Sequence, residues 1–186
     1  MTSGSTTILL IRHGDTGVDP RAQKPEDGLC EHGRKEVQDL AQFLSNYPIV
    51  AYYSSPYQRA RDTAAVLAGD SSVRVDSRLR EIPLWTDPLD LSEDETRLEM
   101  AKILVEAQEG VEGVLEDVRE NYAGSSVALV CHGNMIRATL ALTLKMSLET
   151  AVRLQTYTAS LSVLEYRPQG YYLLRLFNSK PYIYNE

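Results

Sequence analysis

The chain has three histidines, and two of them occupy the same local setting, at the end of an apolar run. His13 follows the run 7–11 after one arginine, and His132 follows the run 127–131 directly. Runs that are apolar on both faces predict buried parallel strands. The carboxyl ends of parallel strands meet at one edge of a sheet, where open α/β sheets place their sites. We therefore expect both imidazoles to face one pocket.

The sequence also contains groups suited to binding an anion, next to these histidines and after the second predicted strand. Arg12 precedes the first histidine, and Arg59 lies in the first turn of a helix predicted after the second strand. Backbone N–H groups of Gly14, Gly133 and Asn134 lie where they can point at a ligand, the last two just before a predicted helix. Arginine donates two parallel hydrogen bonds to phosphate and stays charged. The set predicts a phosphate site and fits a metal site poorly.

These residue types point to one kind of chemistry. A neutral imidazole can attack phosphorus and hold the phosphoryl group covalently, which divides one difficult step into two easier ones. The attacking ring has to be held in one tautomer, most simply by its second nitrogen donating to a nearby carbonyl. The other imidazole and the arginines offset charge on the phosphoryl oxygens. Glu81, just after a short strand candidate, is the carboxylic acid best placed to give the leaving alkoxide a proton.

Strands and helices alternate along the chain. Apolar runs predict strands at 7–11, 49–53, 73–75, 127–131, 160–166 and 171–177, the last two forming a hairpin. Helical spacing of apolar residues predicts helices at 31–47, 57–67, 92–122 and 135–144, the third opening with Ser92 and Glu95 as a capping box. This order predicts an α/β fold, a three-layer α/β/α sandwich whose mostly parallel sheet has one antiparallel strand. We expect a single domain over 1–186.

Composition narrows the class of protein. The 186 residues are 43% hydrophobic and 24% charged, as in a soluble globular domain. A net charge of −7 without a basic run argues against a nucleic-acid partner. Two cysteines do not make a disulfide framework, so we expect a reducing compartment. The N-terminus lacks a signal-peptide pattern, and no apolar run is long enough to span a bilayer. These features predict a cytoplasmic protein with no membrane partner, and they leave its oligomeric state open.

Five segments, in this order along the chain, resemble the motifs of the histidine phosphatase superfamily, which has the phosphoglycerate-mutase-like fold. They are 10–16 around the first histidine, 29–34, 54–64, 79–81 and 130–134 around the second strand-end histidine. The resemblance extends from Ile8 to about Leu142. One such motif alone is a weak signal, whereas five in the right order are a strong one.

The resemblance implies a role for each candidate residue. His13 is the nucleophile and Glu81 is the proton donor. Arg12, Arg59 and His132 bind the phosphoryl group. The chain is too short for the longer inserts of full-length cofactor-dependent mutases, which favours the small phosphatase branch.

Departures from the family pattern concern the substrate rather than the core chemistry. Asp15 stands where glutamate or glutamine is commoner, and we expect it to accept hydrogen bonds within its loop. Asp19 stands where many members have an asparagine, and Cys30 replaces a threonine. After Glu81 the family's glycine and Glu-Gly pair are missing. We expect the helical insert at about 82–122 to lie over the active site, and its sequence predicts no particular substrate.

The expected activity is metal-independent hydrolysis of a phosphomonoester through a phosphohistidine intermediate, as in histidine acid phosphatase-type enzymes. The expected partner is a phosphorylated small molecule or a phosphoprotein, and no cofactor is implied. Three alternatives stay open. The first is phosphoryl transfer of the phosphoglycerate mutase type. The second is a phosphatase acting on phosphohistidine in a protein, which Asp15 favours and Glu81 disfavours. The third is a non-catalytic protein that binds a phosphorylated ligand.

A rival nucleophile shares the second histidine motif. Cys131 and Arg137 have the spacing of the cysteine-dependent phosphatase loop, which also lies between a strand and a helix N-terminus. This spacing arises easily by chance, and it gives no reason for Arg12, His13 or Arg59. We therefore interpret Cys131 as a buried strand residue.

Overall fold

The six strands of one mixed sheet are β1 (Thr6–Arg12), β2 (Ile49–Ser54), β3 (Val73–Val75), β4 (Ser126–Cys131), β5 (Leu161–Arg167) and β6 (Tyr171–Ser179). They lie in the order β3-β2-β4-β1-β5-β6 in a computed structural model that describes residues 4–83 and 94–181. The apolar runs before the two histidines are β1 and β4, which pair in parallel at the centre of the sheet. Both faces of these strands are buried, as a central parallel strand requires. Their common direction brings the two histidines to one edge.

Strand direction agrees with the sequence prediction. β2 runs parallel to β3 and β4, whereas β5 pairs antiparallel with both β1 and β6. Because β6 is antiparallel to β5, it runs in the direction of β1, and β5 is the one reversed strand of this sheet. The mostly parallel sheet with one antiparallel strand is thus confirmed, and so is the hairpin.

In the described part of the chain, five α-helices cover the sheet: α1 (Glu31–Leu44), α2 (Gln58–Ala68), α3 (Asp94–Asn121), α4 (Gly133–Leu144) and the short α5 (Leu148–Ala151). Buried side chains of α1 and α2 pack on one face of β1 and β4, and those of α3, α4 and α5 pack on the other. The predicted three-layer sandwich is therefore confirmed. Each face of the sheet carries a separate apolar core.

Among the described residues, the helix boundaries differ most from the sequence prediction at the end of α1 and the start of α4. α1 ends at Leu44 rather than at residue 47, because Pro48 disfavours helical backbone in the residue before it and Ser45 closes the helix. α4 begins at Gly133 rather than at residue 135, with His132 as its N-cap. The Ser92 cap lies outside the described residues, which include only 82–83 and 94–122 of the predicted insert. Across the described part of the chain, no helix is long and apolar enough to cross a membrane.

Candidate active site

His13 lies directly after β1 and is almost fully buried, with 1% of its surface exposed. Its Nδ1 is 2.8 Å from the Gly14 carbonyl oxygen, and its Nε2 is 3.2 Å from Arg59 Nε. A carbonyl only accepts a hydrogen bond, so Nδ1 carries the proton. Arg59 only donates, so Nε2 carries the lone pair. The backbone therefore holds this ring in the Nδ1–H tautomer, the kind of contact expected for an attacking imidazole.

His13 is neutral at physiological pH. The pKa of the His13 imidazole is lowered from 6.5 to about 3, mainly by burial and also by the nearby charges of Arg12 and Arg59. The contact with the Gly14 carbonyl raises the pKa and opposes these effects without cancelling them. A neutral ring with a lone pair on Nε2 is the form of imidazole that can act as a nucleophile.

His132 lies at the end of β4 in the same pocket. The centroids of the two imidazole rings are 5.1 Å apart, with an angle of 61° between their planes. His132 Nε2 is 2.7 Å from the Ser55 hydroxyl oxygen. Burial is the main cause that lowers the pKa of His132 well below its ordinary value, followed by the proximity of His13, Arg59 and Arg12. The prediction that both imidazoles meet at one sheet edge is confirmed.

Each of the two arginines donates to a backbone carbonyl. Arg12 Nη1 donates to the Thr156 carbonyl at 2.5 Å, and Arg59 Nη1 donates to the Lys24 carbonyl at 2.9 Å. Arg12 Nε is buried and finds no hydrogen-bond partner among the described residues. The fixed guanidinium groups form a cationic cradle beside both imidazoles, which suits an anion with several oxygens.

Because Gly133 has no side chain, Thr156 and Arg12 can lie close to its backbone. A Cβ added there would lie 2.8 Å from Thr156 Oγ1 and 3.6 Å from Arg12 Nε. Thr156 is itself buried. A side chain at position 133 would therefore press against the loop that holds Arg12. The sequence analysis did not find Thr156, which lies in no motif.

The Gly14 amide is used differently from the prediction. Its N–H donates to Thr63 Oγ1 at 3.1 Å, and the Thr63 hydroxyl donates to the Arg59 carbonyl at 2.7 Å. Thr63 is fully buried in α2. The expectation that the Gly14 N–H points at a ligand is wrong, because the side chain of a residue distant in sequence occupies this donor. Thr63 was missed as a functional residue, although it belongs to the motif 54–64.

Glu81 lies beside the arginine cradle. Burial raises the pKa of its carboxyl group from 4.5 to about 7, although hydrogen bonds from the Ile82 and Asn134 amides and the charges of Arg12 and Arg59 act in the opposite direction. The Ile82 N–H is 3.1 Å from Glu81 Oε1. A carboxyl group with a pKa near 7 holds a proton in a large share of molecules at neutral pH, which suits a general acid.

Asn134 contacts the segment that carries the acid Glu81. Its amide N–H contacts the Glu81 carboxyl group, and its side-chain Nδ2 donates to the Ile82 carbonyl at 3.0 Å. Arg137 Nη1 in turn donates to Asn134 Oδ1 at 2.9 Å, and Arg137 Nε donates to the Leu154 carbonyl at 2.5 Å. Phosphate binding by Asn134 stays a prediction, and these contacts favour a role in holding the Glu81 segment.

The environment of Cys131 does not suit a nucleophilic thiol. Cys131 is buried in the core beneath α3 and α4, on the opposite side of β4 from the core beneath α1 and α2. Burial is the main cause that raises the pKa of its thiol to about 12, so the reactive thiolate is scarce at neutral pH. Arg137, its proposed partner, is engaged with Asn134 and Leu154 as described.

The loop after His13 is held by hydrogen bonds to two carboxylates, those of Asp15 within the loop and of the buried Glu36 on α1. Asp15 Oδ1 accepts the Gly17 N–H at 2.9 Å, so Asp15 organises its loop as expected. The Asp15 N–H lies 3.3 Å from Glu36 Oε2, and Glu36 also accepts from Lys180. Glu36 is buried, and the sequence analysis missed it because its partners lie far away in the chain.

Neither the arginines nor the imidazoles of the cradle form a metal centre. Within residues 4–83 and 94–181 there is no group of three or more His, Cys, Asp and Glu side chains that could hold a metal ion. The described residues instead bring together two guanidinium groups, two neutral imidazoles and one carboxyl group whose pKa is raised to about 7. The chemistry of such a set suits binding a phosphoryl group, offering it a nucleophile and supplying a proton.

The chain belongs to the histidine phosphatase superfamily, branch 1, whose sequence profile matches residues 8–179. Phosphoserine phosphatase 1 of Hydrogenobacter thermophilus is 28% identical over 191 residues, which cover 91% of this chain and 90% of that protein. Three mycobacterial proteins are 30% identical over 200 residues, 96% of this chain and 55% of their own length. The chain thus spans about half the length of the first curated relatives it matches.

Solved structures show that the fold is phosphoglycerate-mutase-like. The phosphoserine phosphatase of Entamoeba histolytica in complex with 3-phosphoglyceric acid has a TM-score of 0.80 at 22% identity, over 96% of this chain and 99% of that chain. The phosphoglycerate mutase of Bacillus anthracis also has a TM-score of 0.80, at 17% identity, over 98% and 96%. The proteins similar to this chain therefore include both phosphatases and mutases, and some of them bind small phosphorylated molecules.

Proposed function

We propose that this protein hydrolyses small phosphomonoesters without a metal, through a phosphohistidine intermediate on His13. The observation that carries the proposal is the environment of the His13 ring. The Gly14 carbonyl fixes its tautomer, burial keeps it neutral, and its Nε2 lone pair faces the guanidinium of Arg59. A nucleophilic nitrogen beside a phosphate-binding cation is the minimum requirement for phosphoryl transfer to the ring.

In the first step, the phosphoryl oxygens take the place of His13 Nε2 as acceptors for Arg59. His13 Nε2 then forms a bond to phosphorus while the bond from phosphorus to the leaving oxygen breaks. Glu81 transfers its proton to that oxygen, so the product leaves as an alcohol and Glu81 is left ionised. Arg12, Arg59 and His132 offset the charge on the remaining phosphoryl oxygens.

The second step regenerates the enzyme. Ionised Glu81 takes a proton from a water molecule, and the resulting oxygen nucleophile attacks phosphorus. The bond between phosphorus and Nε2 breaks, and the electron pair returns to the ring. Inorganic phosphate leaves, Glu81 is protonated again, and His13 is neutral in its starting tautomer. A pKa near 7 lets one carboxyl group act as acid and then as base in the same cycle.

Glu81 also bears on the alternatives. A phosphoramidate leaves more easily than an alkoxide and has little need of a proton donor. A buried carboxyl group with a raised pKa beside the arginines therefore supports an ester substrate over phosphohistidine in a protein. The same cradle and acid would serve a mutase, and a mutase is among the similar structures, so mutase-type transfer is the second candidate.

The test is hydrolysis of p-nitrophenyl phosphate and of an alkyl phosphate in the presence of a chelator. We expect turnover to be unaffected by the chelator, and acid-labile phosphate to be trapped on His13 after rapid quenching. His32→Gln is the control variant for the assignment to His13, and phosphate should still be trapped in it. His32 is the third histidine, and its side chain is 71% exposed. Strict dependence on a bisphosphate primer would indicate the mutase. Binding of phosphate without turnover or trapped phosphate would overturn both.

A further inference from the structure

We propose that the Ser55 hydroxyl is a positioning group that sets the tautomer of His132, so that this ring presents its Nδ1–H to the phosphoryl group. Ser55 follows β2 and has no exposed surface. It lies outside the set of cradle residues, and its contact with His132 joins positions that are 77 residues apart. Its role in turnover rests on the proposed function, whereas the tautomer itself does not.

The direction of the hydrogen bond between Ser55 and His132 follows from the other contacts of the hydroxyl. Ser55 Oγ accepts the Tyr57 N–H at 3.3 Å, and its remaining contact among the described residues is His132 Nε2 at 2.7 Å. A buried hydroxyl proton without an acceptor is costly. The hydroxyl therefore donates to Nε2, which must carry a lone pair. In a neutral imidazole the proton is then on Nδ1.

The second nitrogen of His132 is the one left for a ligand. His132 Nδ1 is buried and has no hydrogen-bond partner among the described residues. The ring packs against His13 on one side and against Tyr57, with a centroid distance of 5.2 Å, on another. A buried N–H without a partner in a pocket of arginines is satisfied when an oxygen anion binds. His132 thus acts as a neutral donor that needs no proton from solvent.

A matched pair of serines makes this inference testable. Ser54 and Ser55 are neighbours, and both are fully buried. The Ser54 hydroxyl donates to the Ser55 carbonyl at 2.8 Å and does not contact either histidine. Ser54→Ala therefore removes a buried hydroxyl and one hydrogen bond without touching His132. Ser55→Ala removes the same atoms and releases His132 Nε2.

The experiment is nitrogen-15 NMR of the imidazoles, with inorganic phosphate as the probe ligand. In the wild type and in Ser54→Ala, we expect His132 Nδ1 to be protonated and Nε2 to be unprotonated. In Ser55→Ala, we expect a mixture of tautomers, weaker binding of inorganic phosphate, and a kcat/KM for p-nitrophenyl phosphate that is about 10- to 100-fold lower, by analogy with the loss of a partner that orients a metal-bound imidazole. A similar melting temperature for the two serine variants would show that the difference is local.

Two results would overturn the inference. The first is a wild-type His132 with its proton on Nε2. The second is a Ser55→Ala variant whose imidazole spectrum and phosphate affinity match those of Ser54→Ala. A wild-type protein with the Nδ1–H tautomer and tight phosphate binding but no turnover would instead refute the proposed function and leave the assignment of the tautomer intact.

Discussion

His13 and His132 have the same sequence setting and lie in the same pocket. Both rings carry their proton on Nδ1, but His13 turns Nε2 toward the cradle, whereas His132 turns Nδ1 toward it. His13 uses its Nδ1–H on the Gly14 carbonyl and turns an Nε2 lone pair toward the cradle. His132 accepts from Ser55 at Nε2 and keeps Nδ1 for a ligand. In the proposed reaction, the first ring attacks phosphorus and the second donates to the phosphoryl oxygens.

The difference lies in the partners of each ring rather than in the rings. The partner of His13 is the next residue in the chain, so the tautomer of the nucleophile is fixed locally. The partner of His132 is the side chain of Ser55, directly after β2, so the tautomer of the donor depends on how β2 and β4 pair. A histidine motif therefore identifies a site, and the hydrogen bonds of its second nitrogen identify the role.

Among the substitutions that separate the roles of the two histidines, removal of the nucleophile should cause the largest loss of activity. We expect His13→Ala to lower kcat/KM for p-nitrophenyl phosphate by about 10⁴-fold or more, as when a covalent nucleophile is removed from a hydrolase. Trapping in an alkaline quench, which preserves phosphohistidine, should find no phosphoenzyme in this variant. Trapped phosphate at wild-type levels would mean that another residue carries it.

The pH dependence should belong to neither histidine, because burial keeps both rings neutral near pH 7. Glu81 has to be protonated to act as an acid, and its pKa is about 7, so hydrolysis of an alkyl phosphate should fall as pH rises through about 7. Glu81→Gln should remove this limb and lower kcat by about 10²- to 10⁴-fold. With p-nitrophenyl phosphate, whose leaving group needs little protonation, the loss should be smaller. Equal losses for the two substrates would contradict the acid role.

Removing the donor ring should cost less than removing the nucleophile. We expect His132→Ala to lower kcat/KM by about 10²- to 10³-fold, the usual cost of losing one donor to a transition-state oxygen. Phosphoenzyme should still form on His13, only more slowly, and rapid-quench kinetics would measure this. If His132→Ala blocked trapping while His13→Ala did not, the two roles would be reversed.

The residues that precede the two histidines also differ. Arg12 and Cys131 are paired between β1 and β4, but Arg12 belongs to the cradle and Cys131 is buried in the core. We expect Cys131→Ser to leave kcat/KM close to the wild-type value. It should lower the free energy of unfolding by about 1–3 kcal/mol, because it buries a hydroxyl group in apolar surroundings. Urea denaturation and steady-state kinetics measure the two effects. A large loss of activity in a stable variant would restore Cys131 as a candidate nucleophile.

The sequence was sufficient to predict the sheet and the meeting of the two imidazoles. Apolar runs such as 7–11 and 127–131 show burial on both faces, and parallel pairing then forces their carboxyl ends together. The predicted tautomer contact of His13 also holds, because it needs only the neighbouring carbonyl. These inferences rest on local pattern and on general rules of chain geometry.

The remaining contacts depend on residues that come together only in the folded chain. Thr156 holds Arg12 from a position 144 residues away, and Thr63 takes the Gly14 amide that was expected to bind a ligand. No spacing rule relates such pairs, since each depends on how loops and helices close over the sheet edge. The Gly14 prediction was wrong for this reason. The Asn134 side chain likewise donates to the Ile82 carbonyl beside Glu81, a contact between residues that are distant in the chain.

The contact between Arg12 and Thr156 has a consequence for how the protein unfolds. The anion cradle draws on both ends of the chain, so an intermediate in which the C-terminal part has come loose lacks it. Inorganic phosphate, the product of the proposed reaction, then binds only the complete fold, and mass action stabilises that fold by RT ln(1 + [phosphate]/Kd). Product inhibition and the rise of the melting temperature with phosphate concentration should therefore give the same dissociation constant.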